Sequence, residues 1–181
     1  MDDLLKQAAH GDRNAFSELV LIFQQPLYKI ARSKLDNDCD ICDALQNTLL
    51  LAYKNIRKVK NLSFFQTWLI RILLNECNAI YRKKKQSGVF LADVETVRYL
   101  ADRAKTSGDD YSAVESNLDF QALISMLNDD EKEVVTLFYS CDLTTREISR
   151  LIGVNENTIK TRLCRARNKI AKKIRGVETG E

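Results

Sequence analysis

Apolar residues recur along this chain every three or four positions, the spacing that places them on one side of an α-helix. Phe16, Leu19, Val20, Phe23, Leu27 and Ile30 keep that spacing within a first block, about Asp2 to Lys34, where Pro26 predicts a kink. Ile41, Leu45, Thr48, Leu49, Ala52 and Ile56 form the buried stripe of a second helix, from about Asp40 to Ile56. A third helix starts at SFFQTW and runs to Lys85, with Phe65, Leu69, Ile72, Leu73 and Ile80 inward. Its Ser63 and Gln66 have the spacing of a capping box. Periodicity lapses from residue 87 to about 116 and resumes at Leu118. Phe120, Leu123, Ile124 and Leu127, then Val134, Val135, Leu137 and Phe138, predict two helices broken near NDD. The expected fold class is all-α. Two small helical domains, 1–86 and 117–176, are joined by a flexible acidic linker over 87–116.

The end of the chain carries the sharpest pattern, TTREISRLIGVNENTIKTRLCRARNKIAKKI. Thr144 and Glu147 make a capping box, Ile148, Leu151 and Ile152 face inward, and Gly153 supplies a helix stop. Asn155 then caps a second helix. Along it, Ile159, Leu163, Ala166, Ile170 and Ile174 share one sector, whereas Thr161, Cys164, Arg165, Asn168 and Lys172 lie opposite. Short helix, glycine turn and capped basic helix predict a helix-turn-helix, whose second helix enters the DNA major groove by its N-terminal part. Lys160, Thr161, Cys164 and Arg165 are the candidates to meet base edges, and Arg167 and Lys169 suit phosphates.

Composition changes this picture in two places. One Pro and six Gly among 181 residues leave few helix breakers, which supports the all-α reading. Net charge is only +3, but it is unevenly spread. Lys54 to Gln86 holds nine basic residues against one acid, and Glu131 to Arg175 holds eleven against five. Between them, Ser87 to Asp119 has three basic residues and seven acids. Two cationic modules separated by an acidic spacer suit an extended polyanion. Cys39-x-x-Cys42 has metal or redox spacing, yet no second pair follows, and the only histidine, His10, lies elsewhere. No metal or other cofactor is expected. Five cysteines, an odd count with no signal peptide, suit free thiols in a reducing cytoplasm. No Walker-type glycine loop and no HExxH occurs, so catalysis by the chain is not expected.

The third helix holds a second polar pattern. Arg71, Asn75, Asn78, Arg82 and Lys85 share one face, near Phe64, Trp68 and Tyr81. Amides and guanidinium groups beside aromatic rings suit unpaired bases, although aromatic residues at helical spacing more often serve as core than as a platform. On the second helix, Leu50 and Leu51 fall off the buried stripe near Asp43, Gln46 and Asn47. They suit either a protein-binding patch or a second core contact.

DICDALQNTLLLAYKNI, FFQTWLIRILLNECNAIYRKK and TTREISRLIGVNENTIKTRLCRARNKI, in that order with an acidic stretch before the third, resemble a bacterial RNA polymerase sigma factor of the extracytoplasmic-function group. The resemblance covers about residues 5–175. It implies that Asp43 and Gln46, with Leu50 and Leu51 at or near them, dock on core RNA polymerase. It also implies that the loop containing Arg57, Lys58, Lys60 and Asn61 captures a flipped base of the promoter −10 element. Trp68, Arg71, Asn75 and Arg82 would hold the melted strand. Lys160, Thr161, Cys164 and Arg165 would read the −35 element. The implied partners are core polymerase, promoter DNA and an anti-sigma factor, often membrane-anchored, with no small-molecule substrate. Cys42 and Ala79, where the family often has an acid, and Leu51 and Leu74, where it often has a basic residue, depart from the pattern. So does Ser149, at a helix crossing where Ala is usual. A stand-alone helix-turn-helix regulator is the alternative reading.

Overall fold

The computed structural model describes residues 1–59, 61–86 and 124–178, with side chains to Ile174. Lys60, the acidic stretch 87–116, and Leu118, Phe120 and Leu123 lie outside these residues. The chain divides into two compact units, Met1–Gln86 and Ser87–Glu181.

The first unit begins with α1, Asp2–His10, and α2, Arg13–Lys34. One periodic block therefore becomes two helices. Gly11 adopts φ 101°, a left-handed conformation that ends α1, and the Asp12 carboxylate accepts the Asn14 and Ala15 N–H groups to start α2. The helix continues through Pro26 to Lys34, because the N–H that proline lacks would have bonded a carbonyl at exposed Ile22, which water can reach. α3, Asp38–Asn55, starts two residues earlier than its periodicity suggests, because Asn37 Oδ1 accepts from the N–H groups of Cys39 and Asp40. Two 3-10 turns follow, Ile56–Lys58 and Leu62–Phe64, and then α4, Phe65–Gln86. The turn before α4 is capped by Asn61, which accepts from Ser63 N at 3.0 Å. Ser63 sits inside that turn rather than serving as the cap ahead of α4.

The core of this unit is built from Leu19, Leu27, Ile30, Ile41, Ile56, Ile70 and Leu73, all but fully buried. Each contributes about 1.5–3 kcal/mol relative to exposure. Leu45, Leu49, Ile72 and Ile80, expected inside, are only half-buried, and Ile70, Leu74 and Cys77 are buried instead. The buried stripe of α4 thus lies slightly rotated from the one anticipated. A Lys84–Asp40 ion pair ties the end of α4 to the start of α3.

In the second unit α5 is Asp129–Ser140, α6 is Thr145–Ile152 and α7 is Glu156–Glu178. Ile148, Ile159, Leu163 and Ala166 are buried with Val134, Val135 and Leu137 of α5. The apolar stripe of α7 is shorter than its periodicity suggests: Ile174 is 48% exposed. No helix of the described residues is long and apolar enough to cross a membrane.

Candidate nucleic-acid interface

The geometry of α6 and α7 follows from local chemistry. Thr144 Oγ1 accepts from Glu147 N at 3.2 Å, while the Glu147 carboxylate accepts from Thr144 N at 2.8 Å and from the Thr144 hydroxyl at 2.7 Å. Those bonds hold the Glu147 carboxyl below the ordinary glutamate range, against a smaller opposing effect of burial. At the far end Gly153 takes φ 73°, and the N–H groups of Gly153 and Val154 meet Ser149 O at 3.0 and 3.2 Å. Asn155 Oδ1 accepts from Asn157 N at 2.9 Å as α7 begins. One carboxylate locks the two helices together: Glu156 Oε1 accepts from the Thr145 hydroxyl at 3.0 Å and from Lys160 Nζ at 2.9 Å. With Ile148 and Ile159 buried beneath it, this turn presents Lys160, Thr161, Cys164 and Arg165 to the outside, all exposed.

Three other cations of α7 behave differently, while Lys172 and Lys173 further along are exposed. Arg162 Nη2 bonds Asp130 at 2.6 Å, and Lys169 Nζ bonds Glu131 at 2.6 Å. Arg167 Nε donates to the Tyr139 hydroxyl at 2.8 Å, and its guanidinium lies 5.5 Å over the Phe138 ring. Arg167 and Lys169, suited to phosphates by sequence, are thus tied into the packing of α5 on α7. Glu131, the partner of Lys169, is 3% exposed and completes a capping box with Asn128, accepting from Asn128 N at 3.1 Å. Burial would raise its pKa, but the Lys169 bond, the Asn128 N–H and the charges of Lys169 and Arg165 together hold it below the ordinary value. This box went unread in the sequence, although Asn128 followed by Glu131 has the required spacing.

In the first unit, Arg71, Asn75, Asn78, Arg82 and Lys85 form one exposed face of α4, with Arg82 Nε donating to Asn78 O at 3.2 Å. Phe64 and Tyr81 are exposed. Trp68 is half-buried, its ring 5.6 Å from that of core Phe65, so it is part wall and part platform. Arg57 is exposed and lies against Gly11, Lys58 Nζ donates to Asn55 Oδ1 at 3.0 Å, and the Asn61 oxygen serves as a cap. Lys60 falls outside the described residues.

On α3, Asp43, Gln46 and Leu50 share one exposed sector, with Leu50 50% exposed. Leu51, 38% exposed, stands a further step around the helix. Tyr53, passed over by sequence reasoning, is also exposed on this helix, its ring edge-on to Phe16 at 5.1 Å. Cys39, Cys42 and Cys164 are exposed free thiols, and Cys77 and Cys141 are buried. Among the described residues no group of three or more His, Cys, Asp or Glu is placed to hold a metal ion.

A helix-turn-helix with an exposed basic face in one unit, and a polar, aromatic-edged helix face in the other, suit a two-unit helical DNA-binding protein. Comparison with known proteins places it more narrowly. Residues 19–87 match the model of Sigma-70 region 2, and residues 117–170 match that of Sigma-70, region 4. The chain is 30% identical over 143 residues to the RNA polymerase sigma factor SigV of Bacillus subtilis (strain 168), spanning 79% of this chain and 81% of that one. It is 29% identical over 177 residues to the ECF RNA polymerase sigma factor SigW of the same organism, spanning 94% and 95%. The structure of CnrH in complex with the cytosolic domain of CnrY has a similar fold (TM-score 0.64, 23% identity, 96% of each chain covered). So does the sigma factor RpoE in complex with the anti-sigma factor NepR from Bartonella quintana (TM-score 0.62, 24% identity, 88% and 96% covered). The chain belongs to the extracytoplasmic-function group of the sigma-70 family. It is a sigma factor that directs transcription initiation, with core RNA polymerase and promoter DNA as its partners.

Proposed function

We propose a division of labour for this sigma factor at the level of residues. Lys160, Thr161, Cys164 and Arg165 read the duplex −35 element. Arg57, Lys58, Lys60, Asn61, Trp68, Arg71, Asn75 and Arg82 capture and hold the −10 strand. Asp43, Gln46, Leu50 and Leu51 dock on core polymerase. Arg167 acts mainly by bracing α5 on α7, with phosphate contact as its secondary role. The observation that carries this reading is the sorting of cations on α7. Arg162, Arg167 and Lys169 are engaged with α5, whereas the face nearest the N-terminus of the helix is left outward, as a major-groove reader requires.

Melting is driven by binding. Bases drawn out of the duplex onto the α4 face offset the few kcal/mol or so of lost stacking. The chain performs no catalysis itself, and nucleotide addition belongs to the polymerase. Residues 1–86 and 117–176 act as the two modules, and the acidic stretch 87–116 serves as their tether. The protein works in the cytoplasm, where its DNA and polymerase lie. An anti-sigma factor restrains it, as the assemblies of CnrH with CnrY and of RpoE with NepR suggest.

The decisive experiment is gel filtration with bacterial core polymerase, comparing the wild-type chain with Asp43→Ala/Gln46→Ala. Co-elution lost in the variant supports docking through α3. Duplex DNA binding by the free chain, with no co-elution of either form, would point to a stand-alone regulator instead.

A further inference from the structure

Gly11 ends α1 in a left-handed conformation, and the guanidinium of Arg57 rests directly on its bare Cα. A Cβ added to Gly11 would stand 2.1 Å from Arg57 Nη2 and 3.1 Å from Cζ, so no side chain at position 11 is compatible with this placement of Arg57. Gly11 belongs to the C-terminus of α1, the end whose dipole favours a nearby cation, and the Gln7 and Ala8 carbonyls there accept from the Asp12 and Gly11 N–H groups. Among the described residues no hydrogen bond or ion pair holds Arg57, and the side chain is exposed. Its guanidinium is placed by contact with Gly11, and its donors meet no acceptor among the described residues.

We infer that Gly11 is a positioning residue for promoter opening: it seats the Arg57 guanidinium so that this side chain meets the −10 strand already placed. This rests on the reading that the loop containing Arg57 contacts that strand. α1 packs on both 3-10 turns, Ile56–Lys58 and Leu62–Phe64, so Gly11 and the turn that carries Arg57 belong to one packed group. Without Gly11, Arg57 has to be ordered when the strand arrives, and that entropic cost weakens binding. The bare Cα thus has two uses, a left-handed turn and a flat surface for a planar cation.

The test uses holoenzyme reconstituted from the full chain and core polymerase. The probe is fork-junction DNA with a single-stranded −10 segment, taken from duplexes selected out of random sequence by the wild-type holoenzyme. Asn enters positive φ more readily than other side chains, but φ 101° lies beyond its usual range. Gly11→Asn therefore adds a Cβ at some backbone strain, and its folding is checked first by circular dichroism. Arg57→Ala is expected to weaken fork binding on the order of tenfold and to lower the salt slope by about one phosphate contact. Gly11→Asn is expected to match it, and the double variant to bind no more weakly than either single one. Arg57→Lys keeps the charge but not the planar group, and is expected to lose most of the affinity, which serves if Gly11→Asn folds poorly. Core co-elution and duplex −35 binding should be unchanged throughout. An effect of Arg57→Ala with none of Gly11→Asn, or fully additive losses, would overturn the seating role alone. A silent Arg57→Ala, with Asn75→Ala still weakening the fork, would overturn the reading of the loop and the inference with it.

Discussion

Two arginines two positions apart on α7 show what a single residue owes to its surroundings. Arg165 is exposed and acts on Glu131 through its charge, with no hydrogen bond or ion pair of its own among the described residues, whereas Arg167 bonds Tyr139 and lies over two aromatic rings. Arg165→Ala is therefore expected to weaken binding to duplex −35 DNA, by about 1–3 kcal/mol if it reads a base, with little change in stability. Arg167→Ala is expected to lower stability by about 1–2 kcal/mol while affecting DNA binding less. Urea titration and a duplex binding isotherm on both variants separate the two roles, and the reverse ranking would refute the assignment. Thr136 offers a different check, since its hydroxyl is fully buried and has no hydrogen-bond partner among the described residues. Thr136→Val, nearly isosteric, should raise stability by about 1 kcal/mol, read as a higher urea midpoint at unchanged slope.

At the scale of elements, the second unit is organised by carboxylates at helix starts. Glu131 and Glu147 each close a capping box, and Glu156 bridges α6 to α7. All three carboxyls are held below their ordinary values in the folded chain. In the window between the folded value and about 4.3 the unfolded chain binds more protons, so folding weakens as pH falls through it. Their contribution is complete above that window. Thermal unfolding between pH 6 and 3 should show a falling midpoint that begins near the ordinary glutamate range. Glu131→Gln should flatten the fall, and an unchanged pH profile would remove Glu131 from the account. Much of this was legible in the sequence: the Thr144–Glu147 box, the Gly153 stop and the Asn155 cap are local patterns, and local patterns need no tertiary information. The break at Gly11 was harder to place, because it required knowing that Asp12 would cap a new helix there. The rotated stripe of α4 was not legible, since periodicity defines a face but not which edge of it the neighbouring helices cover.

For the whole molecule, the limit of sequence reading is set by distance along the chain. Which cations of α7 remain outward depends on Asp130, Tyr139 and Glu131, 32, 28 and 38 residues from their partners. No spacing rule within α7 could have separated Arg165 from Lys169. The exposure of Leu50 and Leu51 was legible, because residues displaced from a buried stripe show it directly; the proposal that they serve a partner goes beyond that pattern. The two-module organisation does make a prediction that neither module makes by itself. If duplex reading resides in the second unit and strand holding in the first, the two activities are separable by single substitutions. Asn75→Ala, on the exposed face of α4, should leave holoenzyme assembly and duplex −35 affinity unchanged while lowering the permanganate reactivity of thymines in the −10 region. Loss of one amide contact corresponds to about 0.5–1.5 kcal/mol, roughly a two- to tenfold shift in the opening equilibrium. Arg165→Ala should instead weaken recruitment to duplex DNA, yet leave opening normal on a template already mismatched over the −10 element. A pre-melted template should likewise rescue Asn75→Ala only partly, because the strand still has to be held once it is free. Full rescue would mean that α4 helps only to separate the strands, and that another surface keeps them apart.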